Sequence, residues 1–309
     1  LGKIADLLAA KSYLKPISWD RPTSKEDPED LRIRNLLSES HNSDIRTAIL
    51  GFCSDEGVRR NGGRTGAARA PDSIRKHWLK MVSKNSAYMK TVWDAGNIIC
   101  TGDVENDQKN LGEVVQILLE NNIKPVILGG GHETAFGHAL GYKKYDDPIS
   151  VINIDAHLDV RPLKNGNAHS GSPFRQMIEH PEIDIEHYGV IGAQKSAVAI
   201  HHKRWVEENA SGKVLFRDDE DENLDYWESL IGKPIYLSID MDVIDQSQAP
   251  GVSAPCADGL TTREVLEIIG WLKENCDIRS ADIVECNPEF DRDEQTQKLA
   301  ARLLWELIQ

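Results

Sequence analysis

Ile149-Ser-Val-Ile-Asn-Ile-Asp155-Ala-His157-Leu-Asp159 decides the fold of this chain. Its first residues form a mainly apolar, β-branched run, the pattern of a strand buried in a parallel sheet. The run stops at three side chains of metal-ligand type. Alternate residues of an extended segment share a face, so Asp155, His157 and Asp159 are expected to converge. Two other apolar runs end the same way, Lys124-Pro-Val-Ile-Leu-Gly-Gly-Gly-His132-Glu133 and Pro234-Ile-Tyr-Leu-Ser-Ile-Asp240-Met-Asp242. Ligands of open α/β sheets gather beyond the carboxyl ends of parallel strands, which is where these residues fall. Two imidazoles and four carboxylates exceed one tetrahedral zinc and suit two divalent ions, whose charge the carboxylates cancel. An oxygen-rich, thiolate-free donor set favours manganese or magnesium. One Asp-x-Asp after a strand is as readily a helix cap, whereas three converging clusters point to a site.

Working outward, strand patterns recur at Thr47–Phe52, Val92–Asn97, Pro125–Gly129, Ser150–Asp155, Tyr188–Ala193, Val214–Arg217, Ile235–Asp240 and Ala281–Glu285. Helical patterns alternate with them, including Asn110–Asn121, Thr134–Gly141, Ser196–Asn209 and Thr262–Asn275. Thr261 and Glu264 have the spacing of a capping box. Such alternation predicts an α/β fold, a mainly parallel sheet covered by helices on both faces. Residues 15–45 are charged and turn-rich, with Pro16, Pro22 and Pro28 breaking any helix. Residues 1–46 therefore read as an N-terminal arm packed on a catalytic body of residues 47–309. There is no linker or repeat, and motifs spread from residue 132 to 242 must meet in one cleft.

A formal charge of −14 disfavours nucleic acid and anionic membrane surfaces as partners. No apolar run approaches the ~20 residues that span a bilayer. The five cysteines (Cys53, Cys100, Cys256, Cys276 and Cys286) are odd in number and lack Cys-x-x-Cys spacing. They suit a reduced, cytoplasmic protein, and no nucleophile pattern surrounds any of them. The chain begins at Leu1 rather than Met, which leaves room for a trimmed targeting segment. Gly129-Gly-Gly131 also suggests a phosphate cradle, but His132 stands where a Lys-Ser/Thr pair would follow. The glycines are better read as allowing close backbone approach beneath the metals.

In this order, the motifs resemble those of the ureohydrolases (arginase, agmatinase and formimidoylglutamase), over nearly the whole chain from Thr47 onward. Details resemble the formimidoylglutamase branch. They are Cys53-Ser-Asp-Glu-Gly-Val-Arg-Arg-Asn-Gly-Gly-Arg64, Gly129-Gly-Gly-His132-Glu133, Ser170-Gly-Ser-Pro-Phe174, Ala249-Pro-Gly-Val-Ser-Ala-Pro255 and Val284-Glu285-Cys-Asn-Pro288. Arginases and agmatinases usually carry Gly-Gly-Asp-His-Ser where this chain has Gly-Gly-Gly-His-Glu.

The resemblance implies an arginase-like sheet of about eight strands and an enzyme with two Mn2+ per chain. The ligands would be His132, Asp155, His157, Asp159, Asp240 and Asp242. It also implies hydroxide attack on an amidinium carbon, with Glu285 pairing with the substrate's cationic nitrogens. Asp159 would pass a proton to the leaving nitrogen, and His169 would be a shuttle at the cleft edge. The implied reaction is hydrolysis of N-formimidoyl-L-glutamate to L-glutamate and formamide, as in histidine degradation. The implied assembly is a trimer or hexamer.

Arg161 stands two residues beyond Asp159, where the arginase-like pattern has Asn for a substrate carboxylate. A guanidinium there can grip a carboxylate bidentately. A small anionic amidine with two carboxylates needs more than one such group. Arg59, Arg60, Asn61 and Arg64, on a glycine-flanked loop, are the further candidates. His138, His187, His201 and His202 lack cluster context and read as ordinary core or surface residues. Alternatives are a ureohydrolase for agmatine, guanidinobutyrate or another guanidino acid, a zinc deacetylase on a related fold, and a metal-free scaffold subunit. The deacetylase leaves His132 and Asp159 unexplained, and the scaffold leaves all six ligand positions unexplained.

Overall fold

The computed structural model describes residues 3–19, 31–145, 147–219 and 223–309; Pro22 and Pro28 lie outside them. Nine strands form one sheet among the described residues. They are β1 (Leu14–Lys15), β2 (Thr47–Phe52), β3 (Val92–Ile98), β4 (Lys124–Leu128), β5 (Ile149–Ile154), β6 (Ile185–Ala193), β7 (Lys213–Phe216), β8 (Pro234–Asp240) and β9 (Asp277–Val284). The sheet order is β1-β3-β2-β4-β9-β8-β5-β6-β7. Strands β2 to β9 answer the eight expected from sequence, and all their pairings are parallel. The ninth, β1, pairs antiparallel with β3. Two residues before a proline carry no readable alternation, so this edge strand was not visible as a pattern.

The central strands are buried on both faces, which is why they read as continuous apolar runs rather than alternating ones. Ile235, Leu237 and Ile239 of β8 point to one side, with Ile152 and Ile154 of β5 and Val126 and Leu128 of β4. That layer is closed by the helices Ala70–Trp78, Thr262–Asn275 and Gln295–Ile308, through Ile74, Trp78, Ile269, Leu272 and Leu304. Tyr236, Val151 and Ile127 point to the other side, against Leu111, Val114 and Leu118 of the helix Val104–Glu120 and Phe174 of the helix Pro173–Ile178. Two apolar layers around one sheet give the three-layer α/β/α arrangement.

Local signals explain the helix ends. Thr261 accepts from Glu264 N, and Glu264 Oε2 accepts from Thr261 N at 2.7 Å, so the capping box forms as expected. The helix expected from Asn110 begins six residues earlier, at Val104. After Val104 its first residues are polar and so give no hydrophobic periodicity; Asp103 starts it by accepting from Asn106 N at 3.1 Å.

Strands β4, β9, β8 and β5 are consecutive in the sheet and parallel. Their carboxyl ends therefore share one edge, and the segments bearing His132, Glu285, Asp240 and Asp155 all emerge there.

Candidate metal centre

Each ligand segment turns as soon as its strand ends. The His157 N–H donates to Asp155 Oδ1 at 2.7 Å, and the Asp242 N–H donates to Asp240 Oδ1 at the same distance. The extended Asp-x-His-x-Asp expected from sequence is thus a tight turn, because each aspartate captures the amide two residues on. Convergence survives, but through this turn. Asp159 (φ +46°) and Glu285 (φ +61°) both have left-handed backbone, a costlier conformation for the glutamate than for the aspartate. The Glu285 N–H donates to Gly130 O at 2.8 Å, and Asp159 O accepts from Phe174 N at 3.2 Å, which holds the two conformations.

The six side chains fall into two groups that share one carboxylate. His132, Asp155, Asp159 and Asp240 form the first, and Asp155, His157 and Asp242 the second. His132 Nδ1 lies 3.0 Å from Asp240 Oδ2, 3.1 Å from Asp159 Oδ2 and 3.4 Å from Asp155 Oδ2. His157 Nδ1 lies 3.5 Å from Asp155 Oδ1 and 3.3 Å from Asp242 Oδ2. Asp155 thus faces one group with each oxygen. His132 Nδ1 is buried and unpartnered despite these short approaches, and Asp242 Oδ1 is also unpartnered. Burial, then the neighbouring Asp242 and Asp155, pushes Asp240 well above the usual carboxylate range, and burial raises Asp242 too. Orphaned nitrogen and oxygen atoms that converge, among carboxylates too crowded to ionise freely, fit two hard divalent cations.

A second layer fixes the first. Register pairs Ser238 of β8 with Asp282 of β9. Ser238 Oγ donates to Asp282 Oδ1 at 2.6 Å and lies 3.0 Å from His132 Nε2. The serine proton is committed to the carboxylate, so His132 Nε2 is the protonated nitrogen and Nδ1 turns a lone pair to the cluster. Asp282 Oδ2 is held in turn by Tyr236 OH at 2.5 Å and His138 Nδ1 at 2.8 Å. His138, expected to be ordinary core, is a buried member of this network. Asn153 Nδ2 donates to Asp155 Oδ2 at 2.8 Å from within β5. The sequence carried a signal for this layer: Asn153, Ser238 and Asp282 are polar residues inside apolar strand runs.

Asp240, Asp242, His157, Asp159 and Glu285 line a cleft of about 200 Å³, closed by Val58, Asn61, Gly62, Gly63, Arg161, Ser170, Ser253 and Ala254. Ser170 and Ser253 belong to this lining, although nothing in the sequence pattern distinguishes them from other loop serines. Glu285 Oε1 accepts from His132 N at 2.7 Å, while Oε2 is buried without a partner. Burial, then the charge of Glu133, raises its carboxyl to about 8.

Of the four candidate arginines, only Arg161 lines this cleft, with Asn61 Oδ1 3.4 Å from its Nη1. Arg59 is spent on Glu56, with both bonds at 2.6 Å. Arg60 is held by Glu56, by Glu105 at 2.8 Å and by Ala168 O at 3.1 Å. Arg64 donates to Ser253 O and Val252 O and stacks on Phe290. His169 is buried behind the wall. Its Nδ1 accepts from Gly171 N at 3.1 Å, so Nε2 donates to Pro162 O at 3.1 Å, and burial lowers its pKa. Burial pushes the Cys53 thiol up to about 11 and raises that of Cys286, which suits neither to act as a thiolate.

His157→Ala and Asp242→Ala should each lower bound manganese and nearly abolish turnover while leaving the circular dichroism of the sheet intact. In the unaltered chain, Mn2+ at ~100 times its Kd should add about 2.7 kcal/mol to unfolding stability. Wild-type metal content in both variants would remove the cluster assignment. Asp282→Asn tests the second layer: manganese affinity, read by titration calorimetry, should fall by roughly 10- to 100-fold with the ligands untouched.

Residues 45–309 match the family model described as the arginase family. The formimidoylglutamases of Salmonella schwarzengrund and Salmonella heidelberg are each 36% identical to this chain over 306 residues, 94% of this chain and 96% of theirs. Among solved structures, Trypanosoma cruzi formiminoglutamase with Mn2+ superposes with a TM-score of 0.81 at 27% identity, covering 90% of this chain and 97% of that one. The formimidoylglutamase of Bacillus subtilis gives 0.81 at 25% identity, covering 95% of both chains. With its site assembled at the carboxyl edge of a parallel sheet and its sequence matched from residue 45 to the end, this chain belongs to the arginase family.

Proposed function

We propose that this protein is a manganese-dependent formimidoylglutamase, hydrolysing N-formimidoyl-L-glutamate to L-glutamate and formamide. The observation that carries the reading is the polarity of the cleft. Glu285 offers a buried, unpartnered carboxylate oxygen, and Arg161 offers the one candidate guanidinium not committed elsewhere. Both line the one cleft, Glu285 as an acceptor for a cationic amidine and Arg161 as a donor to one of the two carboxylates of the substrate. The names of the relatives and the Mn2+ of the Trypanosoma cruzi structure support the substrate and the metal.

His132, Asp155, Asp159 and Asp240 would hold one ion, and Asp155, His157 and Asp242 the other. When bound, such a pair supplies a water acidic enough to act as nucleophile near neutral pH. Glu285 Oε2 accepts from the amidinium N–H groups and turns the planar carbon toward that water. Arg161, with Asn61 and Ser170 beside it, takes a substrate carboxylate. After addition to the carbon, the glutamate nitrogen must gain a proton before its C–N bond breaks, and Asp159 is the carboxylate assigned to carry it. His169 is proposed as a proton carrier, a role that requires its Nε2 to leave Pro162 O and reach the cleft from behind the wall. Five free cysteines suit a cytoplasmic setting. No helix among the described residues is long and apolar enough to cross a membrane. Residues 1–46 are assigned as an arm on the catalytic body, and a trimer or hexamer as the assembly, which sedimentation would read.

The deciding assay is turnover of formimidoylglutamate, agmatine and arginine side by side with Mn2+; agmatine alone being processed would reassign the substrate. Arg161→Ala should cost roughly 1.5–3 kcal/mol on formimidoylglutamate, about 10- to 150-fold in kcat/KM and mostly through KM. Arg161→Lys should recover only part, for want of the planar fork. Equal losses on agmatine would mean that Arg161 merely shapes the loop. His169→Ala should retain both metals and lower kcat by roughly 10²- to 10⁴-fold. An unchanged kcat would leave His169 as a loop anchor, and a lost ion would make it a ligand.

A further inference from the structure

Glu133 is the part of the Gly-Gly-Gly-His-Glu motif that the metal site leaves unused. It follows His132, is wholly buried, belongs to neither ligand group, and bonds to the segment Ser54–Gly63. Its Oε1 accepts from Ser54 Oγ at 3.0 Å and from Gly57 N at 2.9 Å. The backbones meet beside it, with Gly131 N donating to Ser54 O at 2.9 Å.

The space around this carboxyl is made by glycine. A Cβ on Gly57 would lie 2.5 Å from Glu133 Oε2, and one on Gly131 would lie 2.2 Å from the same atom. At Gly130 a Cβ would fall 1.7 Å from Ser54 O, so no side chain fits between the two loops. Two separate stretches thus omit side chains at the points where this carboxyl sits.

What the carboxyl holds is the wall of the cleft. Gly57 lies in the first turn of the short helix Glu56–Asn61, and Val58, Asn61, Gly62 and Gly63 all line the cleft. Asn61 donates to Ser170 Oγ at 3.2 Å and accepts from Arg161. The helix is pinned on its outer side by Arg60, through Glu105 and Ala168 O. On its inner side the described residues provide Glu133.

We propose that Glu133 is a positioning residue for substrate recognition: it seats the Ser54–Gly63 wall so that Asn61 holds Arg161 toward the substrate's distal carboxylate. The inference rests on the reading of the cleft as a site for a carboxylate-bearing amidine. It gives the glutamate, found where arginases usually have serine, a role: a longer acid reaches from the metal strand to the wall.

The test uses Mn-loaded protein and three variants, Glu133→Ala, Glu133→Gln and Gly57→Ala. Glu133→Ala should raise KM for formimidoylglutamate by about 10- to 100-fold, as expected of a wall displaced by about an ångström. Its kcat and manganese content should hold, and hydrogen exchange should quicken over residues 54–63 but not over β4. Glu133→Gln keeps an acceptor oxygen and should stay near wild type. Gly57→Ala pushes on the same carboxyl from the opposite loop and should reproduce the alanine phenotype, so the idea remains testable if Glu133→Ala folds poorly. Added to Asn61→Ala, Glu133→Ala should raise KM little further, since it acts through that residue. Unchanged KM and exchange in Glu133→Ala, or loss of manganese from it, would overturn the proposal. If the wild type processes agmatine and not formimidoylglutamate, the substrate reading fails. The exchange experiment, which involves no substrate, still decides whether Glu133 seats the wall.

Discussion

Repulsion among four carboxylates at the dry edge of one sheet is the constraint on which the rest of this structure depends. Asp155, Asp240 and Asp242 are buried, Asp159 lies against them, and two imidazoles are the only counter-groups in the two ligand sets. Like charges ~4 Å apart repel by about 4 kcal/mol even at an effective dielectric of 20. Such a set persists only if it cannot relax and if protons or cations offset its charge. The captured amides of His157 and Asp242 prevent relaxation locally, by fixing two of the aspartates before any metal arrives.

Rigidity is carried further by the register of the sheet. Ser238 and Asp282 meet only because β8 and β9 pair as they do, and that meeting decides which His132 nitrogen carries its proton. A slip of one residue would turn Ser238 to the opposite face of the sheet and leave Asp282 buried without its donor. The same polar atoms that orient the ligand therefore penalise the wrong strand pairing. Tyr236 and His138 complete the account by satisfying the second oxygen of Asp282, so a charged side chain inside the sheet is fully hydrogen-bonded.

This separation also explains what could be read in advance. The ligands were legible because they break apolar runs abruptly at strand ends, where composition alone marks them. The parallel core was legible because strands buried on both faces show no alternation. The polar strand residues were visible as exceptions, but their pairing depends on register between segments distant in sequence, which one chain does not display. The arginines were the least legible. Arg59, Arg60, Arg64 and Arg161 look alike in sequence, and only the fold shows Arg64 over Phe290 and Arg60 against Glu105. The edge strand β1 was hidden by its brevity.

The placement of charge in the cleft gives selectivity by exclusion as much as by attraction. The chain carries a formal charge of −14, so an anionic substrate is not drawn to its surface at large. With four carboxylates offsetting two dications, as proposed, Glu285 and Arg161 would set the local polarity of the wall. A molecule entering with its carboxylate toward Glu285 would set two carboxyl groups together in a buried place, whereas a cationic amidine there would favour the ionised form that burial otherwise disfavours. Entering the other way, each end meets its complement. An amidine without a carboxylate leaves Arg161 solvated and loses little at that end, so discrimination against it is modest unless Arg161 is held in place, and Asn61 is the group in contact with it. On the proposed function, specificity in this cleft would depend on how firmly its wall is seated, and the wall is hydrogen-bonded from the same strand end that bears His132.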